Sequence, residues 1–143
     1  MPRAISALYI GQDDNQSVAS GNFSSASIWE TSPDGNDPWT AATYAPRTTD
    51  LSVTMRAPND VTVSAPTSID QTTIEAGSKL EVISTTLTIA NGTGTDLTVN
   101  GVFRNTLGTI TTSGTIDVTN GGKYQHNYTS GAGVIPTATW SSG

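Results

Sequence analysis

From Leu51 onward, apolar residues recur at every second position in short runs: Leu51, Val53 and Met55; Val61 and Val63; Leu80 and Val82; Leu87 and Ile89; Leu97 and Val99; Ile116 and Val118. Ser, Thr, Asp or Glu fills most of the positions between them. A period of two places alternate side chains on opposite faces of an extended chain, so each run predicts a short strand with one face buried. Leu80, Val82, Leu87, Ile89, Leu97, Val99, Ile116 and Val118 are expected to point inward, and Thr88, Thr98 and Asp117 outward. Thr and Val suit such strands because a branched Cβ packs well on a pleated surface. No stretch carries an i, i+3, i+4, i+7 apolar stripe of useful length, so essentially no long helix is expected.

Small residues separate the runs. Asn91-Gly92, Asn100-Gly101 and Asn120-Gly121-Gly122 all tolerate positive φ and could close hairpins. The recurring unit also reads as strand, small-residue corner, strand, which is the pattern of a coil stacked on the coil before it. Two architectures fit: an all-β parallel β-helix (solenoid), favoured here, and an antiparallel β-sandwich. Both are one structural domain. Residues 1–50 read as an N-terminal arm and Trp-containing cap region, and residues 51–143 as the coils.

Composition favours the solenoid. Only 34% of residues are hydrophobic and 13% are charged, while 16 Ser and 25 Thr occupy 41 of 143 positions. A narrow coil needs only one to three inward apolar residues per strand, and its outward positions become ladders of hydroxyls that hydrogen-bond sideways. The net charge of -6 and the six basic residues argue against nucleic-acid binding. No run approaches the roughly 20 apolar residues of a membrane span. With no Cys and one His, neither a disulfide framework nor a thiolate or His-based metal cluster is available within one chain. The first residues, Met1-Pro2-Arg3-Ala4-Ile5, do not form a signal peptide. The Thr/Ser-rich, Cys-free composition nevertheless suggests an extracellular or cell-surface setting.

Three stretches carry a resemblance: Ser17 to Trp29, the Gly-cornered region from Thr73 to Asn105, and Gly121-Gly122-Lys123-Tyr124-Gln125-His126-Asn127-Tyr128 followed by Ile135-Pro136-Thr137-Ala138-Thr139-Trp140. Together they resemble the β-helix region near the N-terminus of large secreted surface proteins of Bacteroidota, of the kind exported by the type IX system. They are also loosely similar to the eight-glycine extracellular domain. The segment from Glu30 to Pro46, with its extra Trp39, is longer than the usual loop, and such relatives continue into further coils beyond the position of Gly143. The resemblance implies a right-handed parallel β-helix, an extracellular location and an adhesive, stalk or matrix role. It supplies no catalytic motif.

Candidate sites follow from side-chain chemistry. Asp34, Asn36 and Asp37 flank Gly35 between Pro33 and Pro38, and offer hard oxygen ligands suited to calcium; the same residues favour an Asx turn. Asp13-Asp14-Asn15 is a weaker candidate of the same kind. Flat aromatic rings stack on sugars, and Trp39 and Tyr44 are the candidates for carbohydrate binding. Trp29 and Trp140 are expected to plug the two ends of the coil, leaving Trp39 as the most exposed Trp. His126 is expected to be a structural corner residue, and Arg104 to make a corner hydrogen bond or surface pair. Sequons at Asn15, Asn22, Asn91 and Asn127 carry no weight in so Ser/Thr-rich a chain.

Three functions compete. The first is a non-enzymatic structural or adhesive solenoid on or outside the cell. The second is head-to-tail assembly into a fibre, in which Ile5, Leu8, Tyr9 and Ile10 form a spare strand and Trp140 lies at the opposite edge; partners are then other copies, or further coils of a longer parent protein. The third is a carbohydrate-binding module for surface glycans, or a fragment of a polysaccharide-processing β-helix enzyme. No catalytic residue and no obligatory cofactor are expected.

Overall fold

A computed structural model describes residues 13–141. The described chain is strands and turns, interrupted by one 3-10 turn at Ala26–Ile28. Its strands stack into three faces. The first holds β1 (Asp14–Ser17), β5 (Ser52–Met55), β8 (Thr72–Ile74), β11 (Leu97–Val99), β14 (Ile116–Val118) and β16 (Thr139–Trp140). The second holds β2 (Gly21–Asn22), β6 (Asp60–Val63), β9 (Lys79–Ile83), β12 (Val102–Thr106) and β15 (Lys123–Asn127). The third holds β7 (Thr67–Ile69), β10 (Thr86–Ile89) and β13 (Thr109–Thr112). From β5 to β13 the chain visits the faces in rotation, so each strand pairs in parallel with the strand one turn away. This is a parallel β-solenoid of about four turns. The parallel ladders exclude the antiparallel sandwich. They also make Asn91-Gly92, Asn100-Gly101 and Asn120-Gly121-Gly122 corners between faces rather than hairpin turns.

The register shows why the sparse apolar pattern is sufficient. On the first face Met55, Ile74, Val99, Val118 and Trp140 form one inward column. On the second face Val61, Leu80, Phe103 and Tyr124 form another. Leu87, Ile69 and Ile89 close the third side. All eight residues expected to point inward are buried, while Thr88, Thr98 and Asp117 lie on the outward side, partly covered by their ladder neighbours. Successive turns are about 4.8 Å apart, so each inward side chain packs directly on its counterparts above and below. Three corners admit no side chain: a Cβ on Gly101 would run into the carbonyl oxygens of Glu75 and Ser78, one on Gly114 into the carbonyl of Ala90, and one on Gly122 into the carbonyl of Val99. A turn takes 19 residues from Val53 to Thr72 and again from Leu97 to Ile116, but 25 from Thr72 to Leu97. The extra residues bulge at one corner, between Ile89 and Leu97.

The two ends differ. At the N-terminal end β3 (Trp29–Ser32) runs antiparallel to β1, and β4 (Thr40–Ala41) antiparallel to β3. Beneath them Trp29, only 1% exposed, meets Phe23 edge to face with ring centroids 5.2 Å apart. Its Nε1 donates to the Phe23 carbonyl at 2.9 Å. At the other end Tyr124 packs edge to face on both Phe103 (5.5 Å) and Trp140 (6.1 Å). Trp140 extends an inward column as expected of a plug, but it is 51% exposed because no described turn covers its far side. The most exposed Trp is therefore Trp140; Trp39 is partly buried.

Two measurements test this packing. Val99→Asp, which buries an unpaired charge, is expected to cost about 3 kcal/mol or more in denaturant unfolding. Gly101→Ala is expected to destabilise by at least about 1 kcal/mol, since backbone rather than a movable side chain stands in the way. Near-wild-type midpoints for both would contradict the register.

Candidate functional site

The outer side of the first face is recessed near its N-terminal end. Gln16 of β1 and Glu30 of β3 are cross-strand partners, and the Gln16 amide donates to the Glu30 carboxylate. The segment after β3 folds over this pair as a tight Asx turn. Asp34 Oδ1 accepts from the Asn36 backbone N–H at 3.1 Å, Asn36 Nδ2 donates to the Asp34 carbonyl at 2.9 Å, and Ser32 Oγ sits 2.7 Å from the Asn36 carbonyl. Gly35 turns the chain at φ +72°, against the Asp14 carboxylate. The turn then presents Asp37, Pro38 and Trp39 over the sheet. Arg56 enters from the end of β5, with its backbone N–H anchored on Ser17 Oγ at 2.8 Å. Together Gln16, Glu30, Gly35, Asp37, Pro38, Trp39 and Arg56 line an open cleft of about 760 Å³. Arg56 takes part in none of the three ion pairs found among the described residues, which join Lys79 to Asp60 and Glu81, and Arg104 to Glu81.

The cleft gathers part of the expected carbohydrate and calcium residues and separates the rest. Trp39 and Asp37 line it. Tyr44 does not; its hydroxyl lies 3.4 Å from Asp13 Oδ2, and the Arg47 guanidinium covers one ring face at 4.0 Å. Asp34 and Asn36 bond to each other within their turn. Among the described residues no group of three or more His, Cys, Asp or Glu side chains could hold a metal. The Asp13-Asp14-Asn15 run is likewise pulled apart, Asp14 accepting from Ser52 Oγ on the outside while Asn15 turns inward. Of the assembly residues, Ile5, Leu8, Tyr9 and Ile10 lie outside the described residues, and Trp140 sits at the C-terminal edge. Gln16, Glu30 and Arg56 were not foreseen. Only the Gln16–Glu30 register and the turn over it reveal them, and no spacing in the sequence encodes a pairing between β1 and β3.

His126 lies within β15 rather than at the corner expected of it. Its Nδ1 is 3.1 Å from the Tyr124 hydroxyl, its Nε2 is 2.6 Å from the Ala132 carbonyl, and its ring stacks on Tyr128 at 4.3 Å. It thus ties the loop after β15 to the last turn. Arg104 makes the expected surface pair, 3.5 Å from Glu81. Burial pushes the Glu81 carboxyl upward, but the Thr106 hydroxyl, Arg104 and Lys79 together hold it below the usual range.

Two buried acids lie away from the cleft. Asp96, fully buried, accepts from the Gly92 N–H at 2.7 Å and from the Thr115 N–H at 2.6 Å, closing the bulged corner on itself and tying it to the corner of the next turn. Burial pushes it up, but these donors and Asp70 outweigh that and hold it below its ordinary value. Asp70 beside it is raised, by burial and by Asp96. Asp50, 4% exposed, accepts from Asn15 Nδ2 at 2.9 Å and from the Arg47 N–H at 2.7 Å. Burial raises its pKa despite these donors, and Asp50 Oδ1 and Asn15 Oδ1 are both buried without a partner.

Comparison with known proteins returns no match to a family model, to a curated protein or to a solved structure.

The acids make opposite contributions with pH. In the window between its unfolded pKa and its raised folded value, Asp50 keeps its proton in the fold while the unfolded chain loses it, so stability falls as pH rises. Asp50→Asn removes that slope, supplies a donor where two oxygens lack one, and is expected to leave the melting temperature at pH 7 unchanged or higher. The Asp96 contribution is present above the ordinary carboxylate pKa and is lost as pH falls through its lowered value. Asp96→Ala strips the Gly92 and Thr115 N–H groups of their acceptor and is expected to cost about 1–2 kcal/mol at pH 7. Thermal unfolding across pH 3–8 separates the two; a steeper slope in Asp50→Asn, or an unaffected Asp96→Ala, would overturn these assignments.

Proposed function

We propose that the chain is a non-enzymatic structural and adhesive module of an extracellular or cell-surface protein, built as a rigid spacer and joined to its neighbours through its C-terminal edge. The observation that carries this reading is how the core is covered at the two ends, since β4, β2 and β7 at the N-terminal end are also paired on one side only among the described residues. The N-terminal end is closed by Phe23, Ile28 and Trp29 under antiparallel strands. At the other end β13, β15 and β16 are the outermost strands of the three faces, each paired on one side only among the described residues. Trp140, Val134 and Ile135 are exposed there. Unpaired strand edges with apolar neighbours are templates for further strands. The occupant is either further coils of a longer parent or the Met1–Ile10 arm of another copy, whose Ile5, Leu8, Tyr9 and Ile10 supply apolar bulk for a strand pairing in trans. Because the N-terminal core is capped, head-to-tail growth has to proceed through that arm rather than by direct stacking of coil on coil.

The resemblance to secreted Bacteroidota surface proteins supports the same setting, as does the Thr/Ser ladder surface. A second reading, a carbohydrate-binding module, is favoured by one observation, the Trp39 cleft.

Light scattering and negative-stain microscopy of the full chain test the assembly. Concentration-dependent oligomers or filaments are expected, and deletion of residues 1–10 should return them to monomers. A full chain that stays monomeric at high concentration, with no effect of the deletion, would remove the assembly part of the proposal.

A further inference from the structure

We infer that the cleft between the outer side of β1 and β3 and the Asp34–Trp39 turn binds a neutral, hydroxyl-rich saccharide, with Trp39 as its stacking platform and Arg56, Asp37 and the Gln16–Glu30 pair as its hydroxyl-binding groups. This deepens the carbohydrate-binding reading, on which it rests, by naming the ligand class and the residues that select it.

The lining is polar, and Trp39 and Pro38 are its principal apolar contributions. A ligand that fits must therefore combine an apolar face with many polar edges. A pyranose ring does so: its C–H face stacks on an indole, and its equatorial hydroxyls radiate in the ring plane. Each hydroxyl both donates and accepts. The cleft supplies both complements, since Arg56 donates only while Asp37 and Glu30 accept. These planar forked groups also suit adjacent hydroxyl pairs, as the guanidinium fork suits other two-oxygen partners.

Charge decides among saccharides. The cleft carries two carboxylates and one guanidinium, and the net charge of the chain is -6. Of the twelve acidic residues, six fall between Asp13 and Asp50, the segment that forms this end of the molecule, with Arg47 as the only basic residue among them. A polyanion such as a polyuronate would meet repulsion from Glu30, Asp37 and the underlying Asp14. A polycation would be drawn by the same carboxylates, but would bring its charge against the Arg56 guanidinium in the cleft wall. The cleft volume of about 760 Å³ lies within the usual range of ligand sites. The Asx turn, with its internal bonds from Ser32, Asp34 and Asn36, and the pairing of Thr40 with Thr31 fix the backbone on both sides of Trp39 before a ligand arrives, which lowers the entropic cost of binding.

The test is calorimetric titration and affinity electrophoresis of the full chain against a neutral set (β-glucan, mannan and xylan, with their oligosaccharides) and a charged set (alginate, polygalacturonate and chitosan). Binding to at least one neutral polymer is expected, weakened at least about tenfold in Trp39→Ala, largely retained in Trp39→Phe, and reduced in Arg56→Ala. Tyr44→Ala, confirmed folded by circular dichroism, should bind as the wild type does. Tighter binding to alginate, polygalacturonate or chitosan than to every neutral polymer would overturn the neutral class while leaving the carbohydrate reading intact. Neutral binding unaffected by Trp39→Ala would overturn the site. No binding to either set would overturn both the proposal and the reading beneath it.

Discussion

The structure depends on one constraint: each strand of the stack must meet the strand one turn away in parallel register. The backbone ladder supplies the hydrogen bonds, and the register aligns like side chains into columns only about 4.8 Å apart from turn to turn. A column such as Met55, Ile74, Val99 and Val118 is then continuous apolar surface, even though no single strand contributes more than a few residues to the core. A chain that is one third hydrophobic can be fully packed for this reason. The outward hydroxyls follow from the same constraint, because Thr54, Thr73 and Thr98 become neighbours along the axis without being neighbours in sequence.

Much of this was legible in the sequence, and the reason is local. The alternation at Leu80 and Val82, or Leu97 and Val99, reports which side of a strand is buried, and that is decided by the strand itself. The corners were less legible. Asn100-Gly101 reads equally as a hairpin turn, and only the pairing of Val102 with Lys79, rather than with a strand just before it, distinguishes the two. The N-terminal cap was legible in outline through Trp29, but Phe23 beneath it was not, since its burial comes from packing that only the folded cap assembles. The cleft was the least legible feature. Trp39 and Asp37 stood out chemically, whereas Gln16, Glu30 and Arg56 join them through an antiparallel pairing and a parallel pairing of β1 that leave no periodic trace. Tyr44 stood out for the same chemical reason as Trp39, and the Arg47 side chain removed it from consideration.

The interior is not purely apolar. Buried polar groups that would be costly if unpaired recur along the axis, Thr72, Ser78 and Asp96 in its middle as well as Asn15, Asp50 and Asn105. Asn105 is fully buried in the turn below His126, exchanging hydrogen bonds with Gly108, whose N–H it accepts at 2.9 Å and whose carbonyl it bonds at 3.1 Å. Asn15 and Asp50 play a comparable part at the opposite end, with two oxygens left over. Apolar columns alone are indifferent to sliding by one rung. A buried polar pair that joins two turns is not, so the Asn15–Asp50 bond helps to set which turn lies on which.

The stacking direction has a mechanical consequence. Asp13 and Ser141, the first and last described residues, belong to opposite ends of the column, and the hydrogen bonds between turns run along the column rather than across it. Tension applied between those residues would load the rungs in series and open them one after another, as a zipper opens, instead of shearing many bonds at once. A protein of this design lengthens under load by releasing about 20 residues at a time, and the bulged corner clasped by Asp96 is where such peeling would meet its firmest catch.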